Sequence, residues 1–284
     1  MKLEGKVALV TGAGRVGKPP EIRRGFGPEI CKRLALQGAD IIVNDFTGSF
    51  PESPDYELAR EGMNAVADEI KALGRRAIAV DADVGDAKAV DNMVKKALAE
   101  FGHIDILVNN AGIVVGLAPV VELEEKFWDL SMRVMAKGTF LCSKAVAKVM
   151  IQQGSGGKIV NMASILGKSG GAFTAAYTCA KHAIVGLTRV LAMELMPSGI
   201  HVNAVCPGYA ETHLLHLKGG AFDAFPGLAG TDVEGVYNII KAGTASGRLG
   251  TVEEIVSLVE FLCLPDSNYI NGQSIVIDGG GVMI

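Results

Sequence analysis

Val7-Ala8-Leu9-Val10-Thr11-Gly12-Ala13-Gly14, followed after ten intervening residues by Gly25-Phe26-Gly27-Pro28-Glu29-Ile30, decides the fold. The run at 7–11 is short and apolar on both faces, as a strand must be in a parallel sheet covered on both sides. It ends in glycines, which let the backbone turn sharply. A helical pattern starts beyond them. Pro28 suits the first turn of a helix, where a missing N–H is harmless, so the helix is expected to begin after Gly27. Pro19-Pro20 cannot lie inside a helix begun at Gly17.

Working outward, the runs at 41–44, 77–80, 106–109, 158–161, 201–205 and 274–277 read as strands of the same kind. Helical periodicity fills 28–37, 56–73, 87–101, 124–150, 174–196 and 252–264. This alternation predicts an α/β fold: a doubly wound parallel sheet of about seven strands, right-handed crossovers, and helices on both faces. No Pro- or Ser-rich linker and no composition step divides the chain, so residues 1–284 are expected to form a single domain. The segments 15–24, 46–55 and 213–247 break the rhythm. All three leave from the carboxyl ends of strands, where doubly wound sheets bind ligands.

Composition narrows the function. Hydrophobic residues make up 49% of the 284, enough to bury a sizeable core. Lys plus Arg is 27 against 31 for Asp plus Glu, a net charge of −4, so no nucleic-acid partner is expected. Aromatics at 6% are poor material for base stacking. No apolar run is long enough for a membrane span, and no secretory leader is read at the N-terminus. Cys31, Cys142, Cys179, Cys206 and Cys263 form no CxxC pair and read as free thiols in a reducing cytoplasm.

The glycine turn is built to approach a pyrophosphate, which the following helix meets with unpaired N–H groups and its positive end. Asp45 closes the second strand in Ile41-Ile42-Val43-Asn44-Asp45. A carboxylate there accepts hydrogen bonds from the adenosine ribose and repels a 2′-phosphate, which favours NAD over NADP. Arg15, Lys18, Arg23 and Arg24 keep NADP open as the less favoured cofactor.

With these residues in place, the whole chain resembles the short-chain dehydrogenase/reductase family, which has a Rossmann fold. The family's Thr-Gly-x-x-x-Gly-x-Gly turn is matched by Thr11, Gly12, Gly25 and Gly27, split by about nine extra residues. Its Asn-Asn-Ala-Gly stands intact as Asn109-Asn110-Ala111-Gly112, and its adenine-side Asp-Val as Asp83-Val84. Ser164 and Tyr177-Thr178-Cys179-Ala180-Lys181 match its Ser and Tyr-x-x-x-Lys signature. Pro207-Gly208 with Thr212, and the ending from Gly272 to Gly280, are similar as well. The resemblance implies cofactor contacts at Gly12, Gly14, Gly25, Phe26, Gly27, Asp45, Phe46, Asp83, Val84, Asn110, Ala111, Gly112, Tyr177, Lys181, Pro207, Gly208, Ala210 and Thr212.

Tyr177 and Lys181 are four residues apart on a helical segment and share a face. A free tyrosine titrates near ~10, and a neighbouring ammonium lowers that value by stabilising the phenolate. Tyr177 is therefore expected to exchange a proton with the substrate oxygen, tuned by Lys181, which in the family also bonds the nicotinamide ribose. Ser164, thirteen residues before Tyr177, would hold the same oxygen. Hydride transfer itself belongs to the cofactor. Met135 stands where the family has an asparagine that helps hold a water linked to the lysine. A thioether cannot donate a hydrogen bond. Two readings stay open: Met135 packs while a backbone carbonyl holds that water, or the relay is impaired.

No metal site is expected. His213-x-x-His216 lacks a third ligand and reads as solvent-facing loop. Asp81 and Asp83 suit adenine contact better than acid–base work, and Trp128 is expected to pack helix on helix. The segment at about 212–247 is expected to be a lid, made apolar by Leu214, Leu215, Leu217, Phe222, Phe225 and Leu228. The pocket should lie beneath it, beside Ile165, Leu166, Phe173 and Tyr209. The expected activity is NAD-dependent interconversion of a hydrophobic, cyclic or aromatic secondary alcohol and its ketone, in the direction of oxidation. The alternatives are a 3-oxoacyl thioester reductase and a non-catalytic nucleotide-binding partner subunit. The helical segments 124–150 and 174–196 exceed what one sheet face can cover, and the resemblance implies a homotetramer or homodimer paired through them.

Overall fold

In the computed structural model, β1 (Val7–Val10), β2 (Asp40–Asp45), β3 (Ala77–Asp81), β4 (Ile106–Asn109), β5 (Gly157–Met162), β6 (Ile200–Pro207) and β7 (Ser274–Ile277) form one sheet. Their order is β3-β2-β1-β4-β5-β6-β7, and every pair is parallel. The structure describes residues 1–14, 25–48, 56–216 and 220–283, without the side chains of 56–59 and 213. The expectations placed on 15–24 with its basic residues, on 49–55, on Leu217 and on the His213 ring lie outside the described residues.

The strands alternate between two cores. Val7, Leu9, Ile42, Leu107 and Ile159 face one, with α3 (Ala87–Phe101), α5 (Gly138–Gln153) and α6 (Ala175–Leu195). Ala8, Val10, Ile41, Val43, Val108 and Val160 face the other, with α1 (Phe26–Leu36), α2 (Tyr56–Ala72) and α10 (Val252–Cys263). Both sides are apolar because a parallel sheet with crossover helices leaves neither side to water. The strand order reverses between β1 and β4, so their carboxyl ends diverge and open a crevice.

The expected strands all form; β2, β3, β5 and β6 are longer by one to three residues, and β1 ends at Val10, one residue short of Thr11. Three helical expectations need correction. α1 begins at Phe26 rather than after Gly27. Pro28 fits there because the first four N–H groups of a helix have no intrahelical partner anyway. The segment 124–150 is not one α-helix. It runs as α4 (Glu125–Ser131), a π-helical turn at Met132–Lys137, and α5. Val134 and Met135 in that turn are both buried. Trp128, on α4, is 38% exposed instead of packed between helices. Beyond β6 come α7 (His213–His216), α8 (Ala221–Ala229) and α9 (Val233–Ala242), which share a small core of Phe222, Val236, Ile240 and Leu249. All five cysteines are free, and among the described residues no helix is long and apolar enough to cross a membrane.

Candidate active site

Sequence places the turn after β1 and the end of β4 side by side, and hydrogen bonds lock them. The buried Thr11 hydroxyl accepts from the backbone N–H groups of Asn110 and Ala111, both at 3.0 Å. The Asn110 amide donates back to the carbonyls of Thr11 and Gly12, both at 2.9 Å. Gly12 has φ +64, a left-handed conformation that side chains resist, and an added Cβ would sit 2.7 Å from Ala111 Cα. Gly27 brings α1 against this turn, where a Cβ would meet the Gly12 carbonyl oxygen at 2.4 Å. The N-cap of α1 is Gly25, which offers no side-chain cap, so the first N–H groups of the helix remain available to an anion. These features fit the pyrophosphate of a dinucleotide: a close backbone approach, and a helix start left uncapped.

A cavity runs across the carboxyl ends of the strands. Of the expected cofactor residues, Gly12, Gly25, Phe26, Asp45, Phe46, Asp83, Val84, Asn110, Ala111, Gly112, Tyr177, Lys181, Pro207, Gly208, Ala210 and Thr212 line it. Gly14 and Gly27 do not. Gly27 is buried in the start of α1, and the Gly14 N–H is donated to Asp45 Oδ2 at 2.9 Å. Asp45 Oδ1 accepts from the Phe46 N–H at 2.8 Å.

The two carboxylates after β3 separate. Asp83 lines the cavity and meets Arg133 Nη1 at 2.5 Å. Asp81 turns elsewhere: it accepts from the Thr47 N–H at 3.0 Å and from the Thr47 hydroxyl, pinning the turn that carries Phe46. The expectation of adenine contact therefore fits Asp83 alone.

Ser164, Tyr177 and Lys181 line the cavity together. Ser164 follows β5 and caps a 3₁₀ turn at Ile165–Gly167, accepting from the Leu166 N–H at 3.1 Å. Its proton remains for another acceptor. Tyr177 and Lys181 lie one helical turn apart on α6, with Lys181 Nζ 5.4 Å from the phenol ring centre. Lys181 Nζ donates to the Met162 carbonyl at 2.7 Å, which fixes it against the end of β5. A buried chain steadies the same region: Asn109 donates to Asn161 at 2.8 Å, Asn161 to Thr188 at 2.9 Å, and Thr188 to the Ile184 carbonyl at 2.8 Å.

Burial dominates the electrostatics. It pushes the Tyr177 phenol up to about 12, helped by Tyr209 and opposed by Ser164. It brings Lys181 down to about 8. The sequence argument expected the lysine to depress the phenol. Loss of solvent sets the direction for both groups instead. Met135 is buried beside Gly112, where an added Cβ would lie 3.9 Å from its sulfur and 3.8 Å from Lys181 Nζ. Packing is what the side chain does there.

Several features escaped the sequence reading. Ile113, Val114, Leu117 and Val134 wall the cavity, and the apolar Ile113-Val114 pair after Asn-Asn-Ala-Gly was a usable signal. Phe173 does not line the cavity as expected. It holds φ +68, rare for a non-glycine residue, and its carbonyl accepts from the Ala118 N–H at 3.1 Å. It thus ties the loop carrying Leu117 to the start of α6. Leu214, Leu215 and Phe225 line the cavity, whereas Phe222 packs inside the α8–α9 core and Leu228 does not reach the lining. His216 is half-buried rather than solvent-facing, with Nε2 3.4 Å from Glu211 and its ring centre 4.8 Å from that of Phe222. Among the described residues no three His, Cys, Asp or Glu side chains converge to hold a metal.

A family profile described as enoyl-(acyl carrier protein) reductase matches residues 22–281. The chain belongs to the short-chain dehydrogenase/reductase family. It is 36% identical over 280 residues to (2S)-[(R)-hydroxy(phenyl)methyl]succinyl-CoA dehydrogenase subunit BbsD of Thauera aromatica, covering 99% of this chain and 98% of the relative. It is 35% identical over 283 residues to galactitol 2-dehydrogenase of Agrobacterium fabrum, covering 100% of both. Among solved structures, carveol dehydrogenase from Mycobacterium avium in complex with NAD superposes with a TM-score of 0.87 at 29% identity, over 99% of this chain and 98% of that one. The chain is an oxidoreductase that acts on CH–OH groups.

The Lys181 shift yields a stability prediction. Between about 8 and the ordinary 10.5, the unfolded chain keeps the Lys181 proton and the folded protein does not. Stability therefore gains from this group as pH rises through that window, and the burial penalty is fully present below it. Lys181→Met removes the titration. Its stability advantage over the wild type, or its smaller deficit, should shift by up to about 3 kcal/mol between neutral pH and pH 10, always in the wild type's favour as pH rises. Urea denaturation at stepped pH measures this, and a gap that ignores pH would refute the buried ammonium.

Proposed function

We propose that the protein oxidises a hydrophobic, cyclic or aromatic secondary alcohol to its ketone with NAD. One observation carries this reading: Ser164, Tyr177 and Lys181 converge on a cavity with a glycine turn and a carboxylate at one end and apolar side chains at the other. A nicotinamide dinucleotide, when bound, supplies the acceptor for the hydride that leaves the alcohol carbon. The chain's own residues do the rest. The Ser164 hydroxyl donates to the substrate oxygen and holds it. Tyr177 takes the alcohol proton, or returns one to the ketone in reverse. Lys181 binds the nicotinamide ribose and favours the phenolate.

At about 12 the phenol alone is a poor base at neutral pH, so its ionisation must be coupled to the positive charge that an oxidised cofactor brings beside it. Asp45 at the cavity's far end supports NAD, since a 2′-phosphate placed against it would be repelled. The NAD found in the carveol dehydrogenase structure points the same way. The whole chain is read as one domain, with 212–247 covering the substrate. A β-hydroxyacyl thioester is the second reading, favoured by the substrate in the name of the Thauera aromatica relative.

Self-association is part of the proposal. Phe140 and Ile151 on α5, and Val190 and Met193 on α6, are 44%, 48%, 51% and 79% exposed. Large apolar side chains clustered on two long helices mark an interaction face, which we assign to a second copy of the chain, as a homodimer or homotetramer.

Three outcomes are expected. Purified protein reduces NAD, seen as absorbance at 340 nm, with hydrophobic secondary alcohols or a 3-hydroxyacyl thioester, and Tyr177→Phe lowers kcat at least about 100-fold. Saturable NAD binding without turnover on either class would overturn the enzymatic roles. Asp45→Ala narrows the preference for NAD over NADP, and equal affinity for both in the wild type would remove the role given to Asp45. Light scattering at micromolar concentration gives a dimer or tetramer, and a monomer would withdraw the assembly.

A further inference from the structure

The substrate half of the cavity is walled by Val114, Leu117, Ile165, Leu166, Leu215 and Phe225. Among the described residues its lining has only three charged side chains, Asp45, Asp83 and Lys181, all at the cofactor or the proton-exchanging end. Its other polar side chains are engaged or lie at the cofactor end, where the buried Asn44 Oδ1 has no partner among the described residues. Thr174 Oγ1 is engaged by the Gly171 carbonyl and Thr178 Oγ1, both at 2.8 Å. Asn44 and Asn110 give their amides to backbone carbonyls. Thr212 belongs to the cofactor set, and Ser164 and Tyr177 to the reacting oxygen. Tyr209 is left over. It lines the cavity, and no described residue hydrogen-bonds to its hydroxyl.

Tyr209 is also held still. Its carbonyl accepts from the Gly250 N–H at 2.9 Å, the Gly208 N–H before it donates to Ile277 at 3.0 Å, and the Glu211 N–H beyond it donates to Gly250 at 3.1 Å. Its ring packs on the α8–α9 core. It lies near enough to Tyr177 to disfavour a second negative charge there. A phenol fixed from both sides of its backbone, half-buried among apolar groups, brings to the cavity lining a hydroxyl that no described residue engages and that a ligand can use.

We propose that Tyr209 is a specificity-determining residue whose hydroxyl donates to a second, uncharged oxygen on the substrate. The preferred substrate is then an apolar secondary alcohol carrying a hydroxyl, carbonyl or ether oxygen a few bonds from the reacting carbon. A carboxylate is disfavoured, because none of the described lining residues brings a cation to this end. The inference rests on the alcohol-oxidising reading above. Tyr209 takes no part in moving the proton or the hydride.

The test compares wild type and Tyr209→Phe, as full chains with saturating NAD, on cyclohexanol and on the cyclohexanediols of each ring spacing. At least one diol should exceed cyclohexanol in kcat/KM by about tenfold or more in the wild type, and Tyr209→Phe should erase that advantage. Its cyclohexanol kcat/KM and its KM for NAD should stay within about twofold, which also reports that the variant folds. Equal losses on cyclohexanol and the diols would place Tyr209 in the chemistry or the fold and overturn the proposal, as would no loss on any diol. If the wild type turns over none of these alcohols, the functional reading has failed by itself. Calorimetric binding of the same diols and cyclohexanol to the NAD-loaded protein then decides the role of Tyr209: diol affinity lost selectively in Tyr209→Phe sustains it, and unchanged affinity sinks it.

Discussion

The hydroxyl of Thr11 holds the site in register. It accepts two backbone N–H groups from the end of β4, while Asn110 returns its amide to two carbonyls of the turn after β1. These strands are neighbours in the sheet and pair as far as Val10 and Val108, but their connections leave toward opposite faces, so the bonds beyond that point carry the register into the turn. Each bond contributes about 1 kcal/mol, and each polar group left buried without its partner would cost more. The clamp sets where Gly12 stands, hence how closely α1 approaches, hence where an uncapped helix start points. It also sets Ala111 and Gly112, which border the ground in front of Lys181.

From that clamp the site divides into halves governed by different physics. Toward β2 and β3 the side chains are acceptors tied to backbone donors, and position is everything: Asp45 is braced by Gly14 and Phe46, and Thr47 by Asp81. Toward β5 and α6 the groups are enclosed, and solvent exclusion sets their behaviour. A lysine brought down to about 8 and a phenol raised to about 12 are both biased toward their neutral forms. Such a pair is quiescent until a charge arrives beside it.

Much of this was legible in the residues. Runs such as Ile106-Leu107-Val108 are apolar at every position, a pattern imposed by burial on two faces, so the existence of the strands could be read directly. Tyr177 and Lys181 were legible as a pair by spacing, because one helical turn fixes what shares a face, and Ser164 came from the family resemblance. What could not be read depends on contacts distant in sequence. The start of α1 moved forward since Gly25 could take the capping position once Gly27 met the Gly12 carbonyl. The division of labour between Asp81 and Asp83 rests on Thr47 and Arg133, which lie some 34 and 50 residues away in sequence. Composition treated His216 as a loop residue, but the carboxylate of Glu211 and the ring of Phe222 draw it inward. The electrostatic expectation for Tyr177 failed for a related reason: sequence shows which charge is near and not how much water is gone.

The π-helical turn at Met132–Lys137 makes the pocket wall there sensitive to chain length. Such a turn holds one residue more than a regular one. Deleting one residue within it would let the helix close as an α-helix while α4 and α5 stay nearly in place, because an α step of four residues turns and advances the chain about as far as a π step of five. Cys142 and Val146 would keep their places in the core, and the change would fall on Val134 in the cavity wall and on Met135 beside Gly112.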